Sequence, residues 1–242
     1  MKNTDSIFSK PLKKVTDFRF DDQVADVFPD MISRSVPGYQ DILHSIEQLS
    51  AMYAKPNQVI YDLGCSLGAA SLAAAHGSQH NNEIHAFDNS SAMLERCNRY
   101  IRQFSHSERI SLFENDVNEI PIENACIVIM NFTLQFIPPE QRAALIAKIY
   151  SGLNSGGILI LSEKIKAPEA LANDLLIDLH HQFKRENGYS ELEISQKRAA
   201  LENIMQLNTF DEHKSRLETA GFTSVALYYK RFNFSSMVAI KA

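Results

Sequence analysis

The chain has 242 residues, 45% hydrophobic and 22% charged, with a formal net charge of −5. That suits one large α/β domain with decorations, and the acidic balance argues against a protein built to hold nucleic acid backbone by bulk charge. Cys65, Cys97 and Cys126 are odd in number and lack metal-ligand spacing, so they fit a reducing compartment better than a disulfide framework. No segment is long and apolar enough to span a bilayer, and the residues after Met1 form no apolar leader, so a cytoplasmic location without membrane contact is expected.

Residues 1–20 are polar with scattered aromatics, Phe8, Phe18 and Phe20, and such a segment is expected to be an ordered arm. Val24, Val27, Phe28 and Met31 recur at helical spacing, with Pro29 expected to interrupt the helix. Arg34-Ser35-Val36-Pro37-Gly38-Tyr39 is a turn, and Ile42, Ile46 and Leu49 mark the next helix. Tyr39 is either a ring that stacks on a ligand or an aromatic cap between two helices.

The run Val59-Ile60-Tyr61-Asp62-Leu63-Gly64-Cys65-Ser66-Leu67-Gly68-Ala69-Ala70 reads as strand, tight turn and helix. Gly64 lets backbone approach a ligand closely, and Gly68 lets the new helix start against the strand. The free N–H groups of that helix end are a seat for polar ligand atoms. Cys65 reads as a small filler with no histidine near it in sequence. The pattern Asp-x-Gly-x-x-x-Gly lacks the third glycine of a dinucleotide fingerprint and is the commoner form in enzymes that use S-adenosyl-L-methionine (SAM).

Ile84 to Phe87 is a second strand ending at Asp88-Asn89-Ser90. Asp88 stands 20 residues after Gly68, where such folds place an acid for ribose hydroxyls; a carboxylate accepts two hydrogen bonds from a vicinal diol. The competing role is a helix cap, and both are met if Ser90 or Ser91 caps the helix Met93–Phe104 and Asp88 stays free. A third strand, Ile110–Glu114, ends near Asp116-Val117, where Asp116 is either an adenine contact or an ordinary loop aspartate. The apolar fourth strand, Cys126–Met130, ends at Asn131, a candidate for the methionine part or the reacting end of the ligand.

Pro138-Pro139-Glu140 opens a helix with Leu145, Ile146, Ile149 and Leu153 on its buried stripe. Gly156-Gly157 then turns into a fifth strand, Ile158–Leu161. Residues 164–220 exceed a crossover and read as inserted helices. One carries Leu171, Leu175, Ile177, Leu179 and Phe183, and Ser190 three residues before Glu193 starts another, bearing Lys197 and Arg198, with a capping box. His180-His181 defaults to a solvated helix face. Val225–Tyr229 and Phe234–Ile240 form a terminal hairpin.

The expected fold is therefore α/β: a Rossmann-like, seven-stranded, SAM-methyltransferase-type sheet, mostly parallel with an antiparallel terminal hairpin. It is expected as a single SAM-binding domain over 1–242, with an N-terminal helical cap (1–55), a core sheet (56–163 and 221–242) and a helical insertion after the fifth strand (164–220).

Several stretches outside these generic motifs are more specific. They are Val27-Phe28-Pro29-Asp30-Met31-Ile32, Arg34 to Tyr39, Asn131-Phe132-Thr133-Leu134-Gln135-Phe136, Phe183-Lys184-Arg185, and Asn187 to Arg198. With Tyr61 to Ala70 they closely resemble the carboxy-S-adenosyl-L-methionine synthases, over essentially the whole chain. The resemblance implies that SAM and prephenate become carboxy-SAM and phenylpyruvate, with the product serving as carboxymethyl donor in tRNA wobble-uridine (5-oxyacetyluridine) modification. It implies that Tyr39, Gly64, Cys65, Ser66, Asp88, Asn89, Asp116, Val117 and Asn131 contact SAM. It gives Arg198 to the new carboxylate, in its own or the partner subunit's site, which suits a planar, permanently charged fork. No metal and no direct nucleic acid binding are implied. A homodimer is, with the inserted helices as its surface, together with a functional link to the tRNA carboxymethyl-transferring enzyme.

The sequence departs from the pattern at Tyr228-Tyr229-Lys230-Arg231-Phe232, where a tryptophan and uncharged residues are expected, and is one residue short between the first two strands; neither departure touches a motif residue. The alternatives are a conventional SAM-dependent methyltransferase acting on a small molecule or RNA, and a non-catalytic SAM-binding scaffold. The missing third glycine and the terminal hairpin argue against a nicotinamide dehydrogenase.

Overall fold

Period-two alternation in the central strands sets the architecture. In β4 (Ala125–Asn131), Val128 and Met130 enter one apolar layer and Ile127 and Ile129 the other. β5 (Leu153–Lys164) repeats this with Leu159 and Leu161 against Ile158 and Ile160. Strands buried on both faces need helices on both sides. The computed structural model, which describes residues 4–242, shows this arrangement. Residues 1–3 of the expected cap lie outside the described residues.

The other strands are β1 (Val59–Leu63), β2 (Ile84–Asp88), β3 (Ile110–Glu114), β6 (Ser224–Arg231) and β7 (Phe234–Ile240). The seven-stranded sheet has the order β3-β2-β1-β4-β5-β7-β6. β7 is antiparallel to both neighbours, and the remaining pairs are parallel. The order reverses between β1 and β4, and ligands of open α/β sheets bind at the strand ends beside such a switch.

The helices are α1 (Asp22–Ser35), α2 (Tyr39–Tyr53), α3 (Ala69–Gly77), α4 (Ser91–Ile101), α5 (Pro139–Gly152), α6 (Ala170–Glu186), α7 (Glu191–Glu202) and α8 (Phe210–Ala220). α2, α3 and α4 cover one face through Ile42, Ile46, Ala74, Cys97 and Ile101. α5 and α8 cover the other through Leu145, Ile149 and Leu217. α8, within the span read as inserted, is thus a crossover helix, opened by a Thr209–Glu212 capping box. The amino-terminal arm is ordered. Phe8 and Phe18 are buried, Phe18 N donates to Ala200 O (2.9 Å), and Gln196 Nε2 donates to Phe8 O (2.9 Å).

The structure departs from the sequence expectation in several places. Pro29 lies inside an unbroken α1. Asp21 caps that helix by accepting from Val24 N (3.1 Å), Arg34 pairs with Asp30 (2.9 Å), and Val24, Ala25 and Met31 are buried; these offset the one backbone bond proline forfeits. α4 stops at Ile101, short of Phe104. The double glycine is no turn but lies within β5. Gly156 N donates to Lys241 O (2.8 Å) and Lys241 N to Gly157 O (3.0 Å), so the chain after β7 grips an irregular stretch of strand. Gly68 packs against α4 rather than the strand: a Cβ there would lie 2.8 Å from Cys97 Sγ.

Candidate active site

The carboxyl ends of β1, β2, β3 and β4 open into a cavity of about 1620 Å³, closed over by α1, α2, α6 and α7. Every residue expected to touch SAM lines it: Tyr39, Gly64, Cys65, Ser66, Asp88, Asn89, Asp116, Val117 and Asn131. Arg198 lines the same cavity of its own chain.

Gly64 has φ +84°, and a Cβ there would lie 2.3 Å from Thr133 Oγ1, so both conformation and space require glycine. The room beside it thus belongs to Thr133, which donates to Leu63 O (2.7 Å). The Gly64 and Cys65 amides both donate to Phe87 O (2.8 and 2.9 Å), turning the chain sharply toward the cavity. Cys65 is buried beside Cys97; their hydrogen bond, then burial, pushes its thiol well up. It is no thiolate nucleophile.

Asp88 is not free. Oδ2 accepts from Ser66 N (2.9 Å) and Oδ1 from Ser90 N (3.0 Å). Burial raises its carboxyl above the ordinary value, against the Ser90, Ser66 and Asn89 amides. Each oxygen keeps a lone pair for a ligand hydroxyl. Ser90 takes the cap of α4, accepting from Met93 N (3.2 Å). Asp116 Oδ1 accepts from Asn118 N (2.8 Å) and Nδ2 (3.0 Å), an Asx turn that leaves Oδ2 without a partner among the described residues. Val117 is buried beneath it. Tyr39 begins α2, and burial, then Asp62 and Tyr100, raises its phenol above the ordinary value. Asn131 Oδ1 is buried without a hydrogen-bond partner among the described residues. An orphan acceptor in a cavity calls for a donor from the ligand.

The sequence matches known proteins over its full length. A methyltransferase domain family matches residues 60–157. A protein of Alteromonas mediterranea named carboxy-S-adenosyl-L-methionine synthase is 57% identical over 243 residues, covering all of both chains. Proteins of the same name from Pseudoalteromonas atlantica (56% identity, 98% of each chain) and Aliivibrio salmonicida (53%, all of both chains) match comparably. The chain belongs to the carboxy-S-adenosyl-L-methionine synthase family. It is a SAM-dependent transferase. Solved methyltransferases share the fold. Human N-acetylserotonin methyltransferase has a TM-score of 0.61 at 18% identity, over 91% of this chain and 55% of that one. Magnesium protoporphyrin IX methyltransferase of Synechocystis has 0.60 at 18%, over 88% and 87%.

In this synthase-family member the wall made by β5, α6, α7 and β7 is basic. Arg198 on α7 is exposed and has no ion pair or hydrogen bond among the described residues. Lys164, Lys184, His180 and Phe234 also line the cavity, and the sequence reading gave none of them a site role. Lys164 had a signal, the carboxyl end of a strand. His180 overturns the solvated-face expectation: it is 4% exposed, its Nε2 lies 2.8 Å from Ser35 O, and burial lowers it to about 2. A carbonyl can only accept, so Nε2 carries the proton and Nδ1 is bare. Beneath the wall, Glu163 accepts from Leu134 N and Gln135 N (both 2.9 Å), fixing the segment after β4. The described residues contain no cluster of three His, Cys, Asp or Glu able to hold a metal, and no helix long and apolar enough to cross a membrane.

Proposed function

We propose that the protein converts SAM and prephenate into carboxy-SAM and phenylpyruvate. The observation that carries this reading is Arg198, an unpaired guanidinium in the same cavity as the glycine turn and Asp88. A simple methyl transfer forms no carboxylate for it to hold; a carboxylated methyl does, and arginine binds one bidentately.

In this reading Asp88 takes the ribose hydroxyls, Asp116 the adenine amino group, and Val117 and Tyr39 flank the nucleoside. Gly64 to Ser66 and Asn131 hold the methionine part. Prephenate loses its ring carboxyl as carbon dioxide and its ring hydroxyl as hydroxide, which aromatises the ring to phenylpyruvate. The hydroxide removes a proton from the sulfonium methyl, leaving water and a sulfonium ylide, and the ylide carbon bonds to carbon dioxide. The protein positions the partners and excludes water that would quench ylide or carbon dioxide.

The product would serve as carboxymethyl donor for an enzyme completing a tRNA wobble uridine, so this chain needs no nucleic acid surface of its own. It would act in the cytoplasm as a homodimer. Leu171, Leu175 and Leu179, one stripe of α6 at 87%, 59% and 38% exposure, support α6 as part of the contact.

Incubation of the purified protein with SAM and prephenate, read by mass spectrometry, tests the reaction. Prephenate-dependent carboxy-SAM with one phenylpyruvate per turnover is expected, lost in Arg198→Ala. SAM bound but unchanged would sink the reading and favour a methyltransferase or a SAM-binding scaffold.

A further inference from the structure

The basic wall holds more cation than the reaction's product carboxylate uses. Lys164 ends β5, Lys184 lies on α6, and Lys197 and Arg198 are consecutive on α7. Among the described residues only Lys197 has a side-chain partner. Its Nζ lies 3.4 Å from Asp5 Oδ2 and 3.1 Å from Ser35 Oγ, and Asp5 is occupied further by the Tyr189 hydroxyl. Lys164 and Lys184 have no side-chain hydrogen bond or ion pair among the described residues, though Lys184 is only 6% exposed. The acids that line the cavity, Asp26, Glu47, Asp88, Asp116 and Glu202, form no ion pair with either lysine. Buried ammonium groups without a counterion are costly. Lys184 is buried and Lys164 half-buried, and two unpaired ammonium groups lining one cavity call for an anion from outside the chain.

We infer that Lys164 and Lys184 form a second carboxylate subsite, separate from Arg198, which holds the carboxylate that a dicarboxylate co-substrate keeps through the reaction. The inference rests on the proposed reaction, in which prephenate gives up its ring carboxylate and retains the one on its side chain. An aromatic wall stands beside the subsite. Phe234 packs edge-on against His180 (4.8 Å) and Phe132 (5.8 Å), with Lys164 Nζ 5.8 Å from its ring centre. A six-membered ring bearing a carboxylate arm fits that combination of apolar face and cation.

Proton linkage supports the assignment. Burial, then the charges of Lys197 and Lys164, brings Lys184 down to about 7; Asp5 opposes them. Burial, then Arg198, brings Lys164 down to about 8. His180 and His181 on α6 are held neutral at these pH values by burial and the same lysines, and add no charge. Without an anion the pair sheds protons near neutral pH, and a bound carboxylate restores them. Affinity for the carboxylate is therefore complete below about pH 7 and falls as pH rises through 8.

The test uses the full chain with Lys164→Met, Lys184→Met and the charge-keeping Lys184→Arg. Steady-state turnover gives KM for prephenate and the inhibition constant of phenylpyruvate, and calorimetry gives the SAM Kd. Each Met variant is expected to raise KM for prephenate and Ki for phenylpyruvate together, by roughly 10- to 100-fold, with SAM Kd within about two-fold, while Lys184→Arg recovers most of the loss. Wild-type binding of phenylpyruvate at pH 8 should take up protons, seen in buffers of different ionisation heat, and Lys184→Met should abolish the uptake. Unchanged KM and Ki in both Met variants would overturn the subsite and leave the reaction standing. If wild type makes no carboxy-SAM, the proposed reaction falls, and direct calorimetry of prephenate decides the subsite. Lysine-dependent binding upholds it, and no binding overturns it.

Discussion

The Ser66 amide donates to Asp88 Oδ2 at 2.9 Å, so the glycine turn after β1 and the acid ending β2 hold one another in place. Asp88→Ala removes the acceptor that shapes the turn and, in the proposed function, a ligand contact with it. SAM Kd should rise by roughly 10- to 100-fold, the worth of one or two hydrogen bonds to a charged group. Asp88→Asn keeps an oxygen for one of the two backbone amides and should lose less. Calorimetry with SAM checks both, and an unchanged Kd in Asp88→Ala would remove Asp88 from the site.

Two positive-φ glycines separate backbone strain from steric clash. At Gly156 (φ +75°) an added Cβ meets nothing within 4 Å, whereas at Gly64 (φ +84°) it meets Thr133. Gly156→Ala should cost about 1–2 kcal/mol, the left-handed penalty alone. Gly64→Ala should cost about 2–4 kcal/mol, adding the overlap, and should weaken SAM binding as well. Urea denaturation of the two variants measures the difference.

Asp62 should shape stability between mildly acid and neutral pH. It is fully buried; Ser71 donates to Oδ2 (2.5 Å), and Oδ1 has no partner among the described residues. Burial, with Asp88 adding to it and Ser71 opposing, raises the carboxyl to about 7 from 3.8. Between those values the folded chain keeps a proton that the unfolded chain has released, so this contribution is complete below pH 3.8 and is lost as pH rises through about 7. Asp62→Asn should remove that slope and gain roughly 1–3 kcal/mol at pH 8 relative to wild type. Thermal melts from pH 5 to 8 read it, and parallel curves for both proteins would contradict it.

Arg142 should be a structural keystone despite its charge. It is 1% exposed and donates to Ile137 O (2.8 Å), Gln206 O (2.9 Å), Gln135 O (3.2 Å) and Asn208 Oδ1 (2.6 Å). It thereby ties the segment after β4 to the one after α7. Arg142→Met removes all four bonds, leaving Ile137 O and Gln206 O without this donor while Gln135 O keeps the Gln206 amide (3.0 Å), and should cost about 2–4 kcal/mol, seen as a lower urea midpoint.

The apolar stripe on α6 gives the expected dimer a test. Leu171→Glu with Leu175→Glu should halve the mass measured by light scattering on a sizing column while leaving the far-ultraviolet circular dichroism unchanged, because both side chains are exposed within one chain. A wild-type monomer, or an unaltered dimer in the double variant, would move the contact elsewhere or remove it.

The sequence by itself determined most of the elements and the glycine turn that faces the cavity. A continuous apolar run marked β4, spacing from Gly68 placed Asp88 at the end of β2, and the Ser190–Glu193 capping box predicted the start of α7, because these signals lie within short stretches of the chain. Resemblance placed Arg198, which composition alone left as a solvated charge. Only the tertiary structure decided that Pro29 is tolerated, that Asp88 is tethered, that His180 is buried, and that Lys164 and Lys184 share a cavity with Arg198. Whether a charge is buried, and whether a counterion reaches it, depends on residues far away in the chain. Asp5 reaches Lys197 across 192 positions and forms no ion pair with Lys184, and no local pattern in the sequence records that.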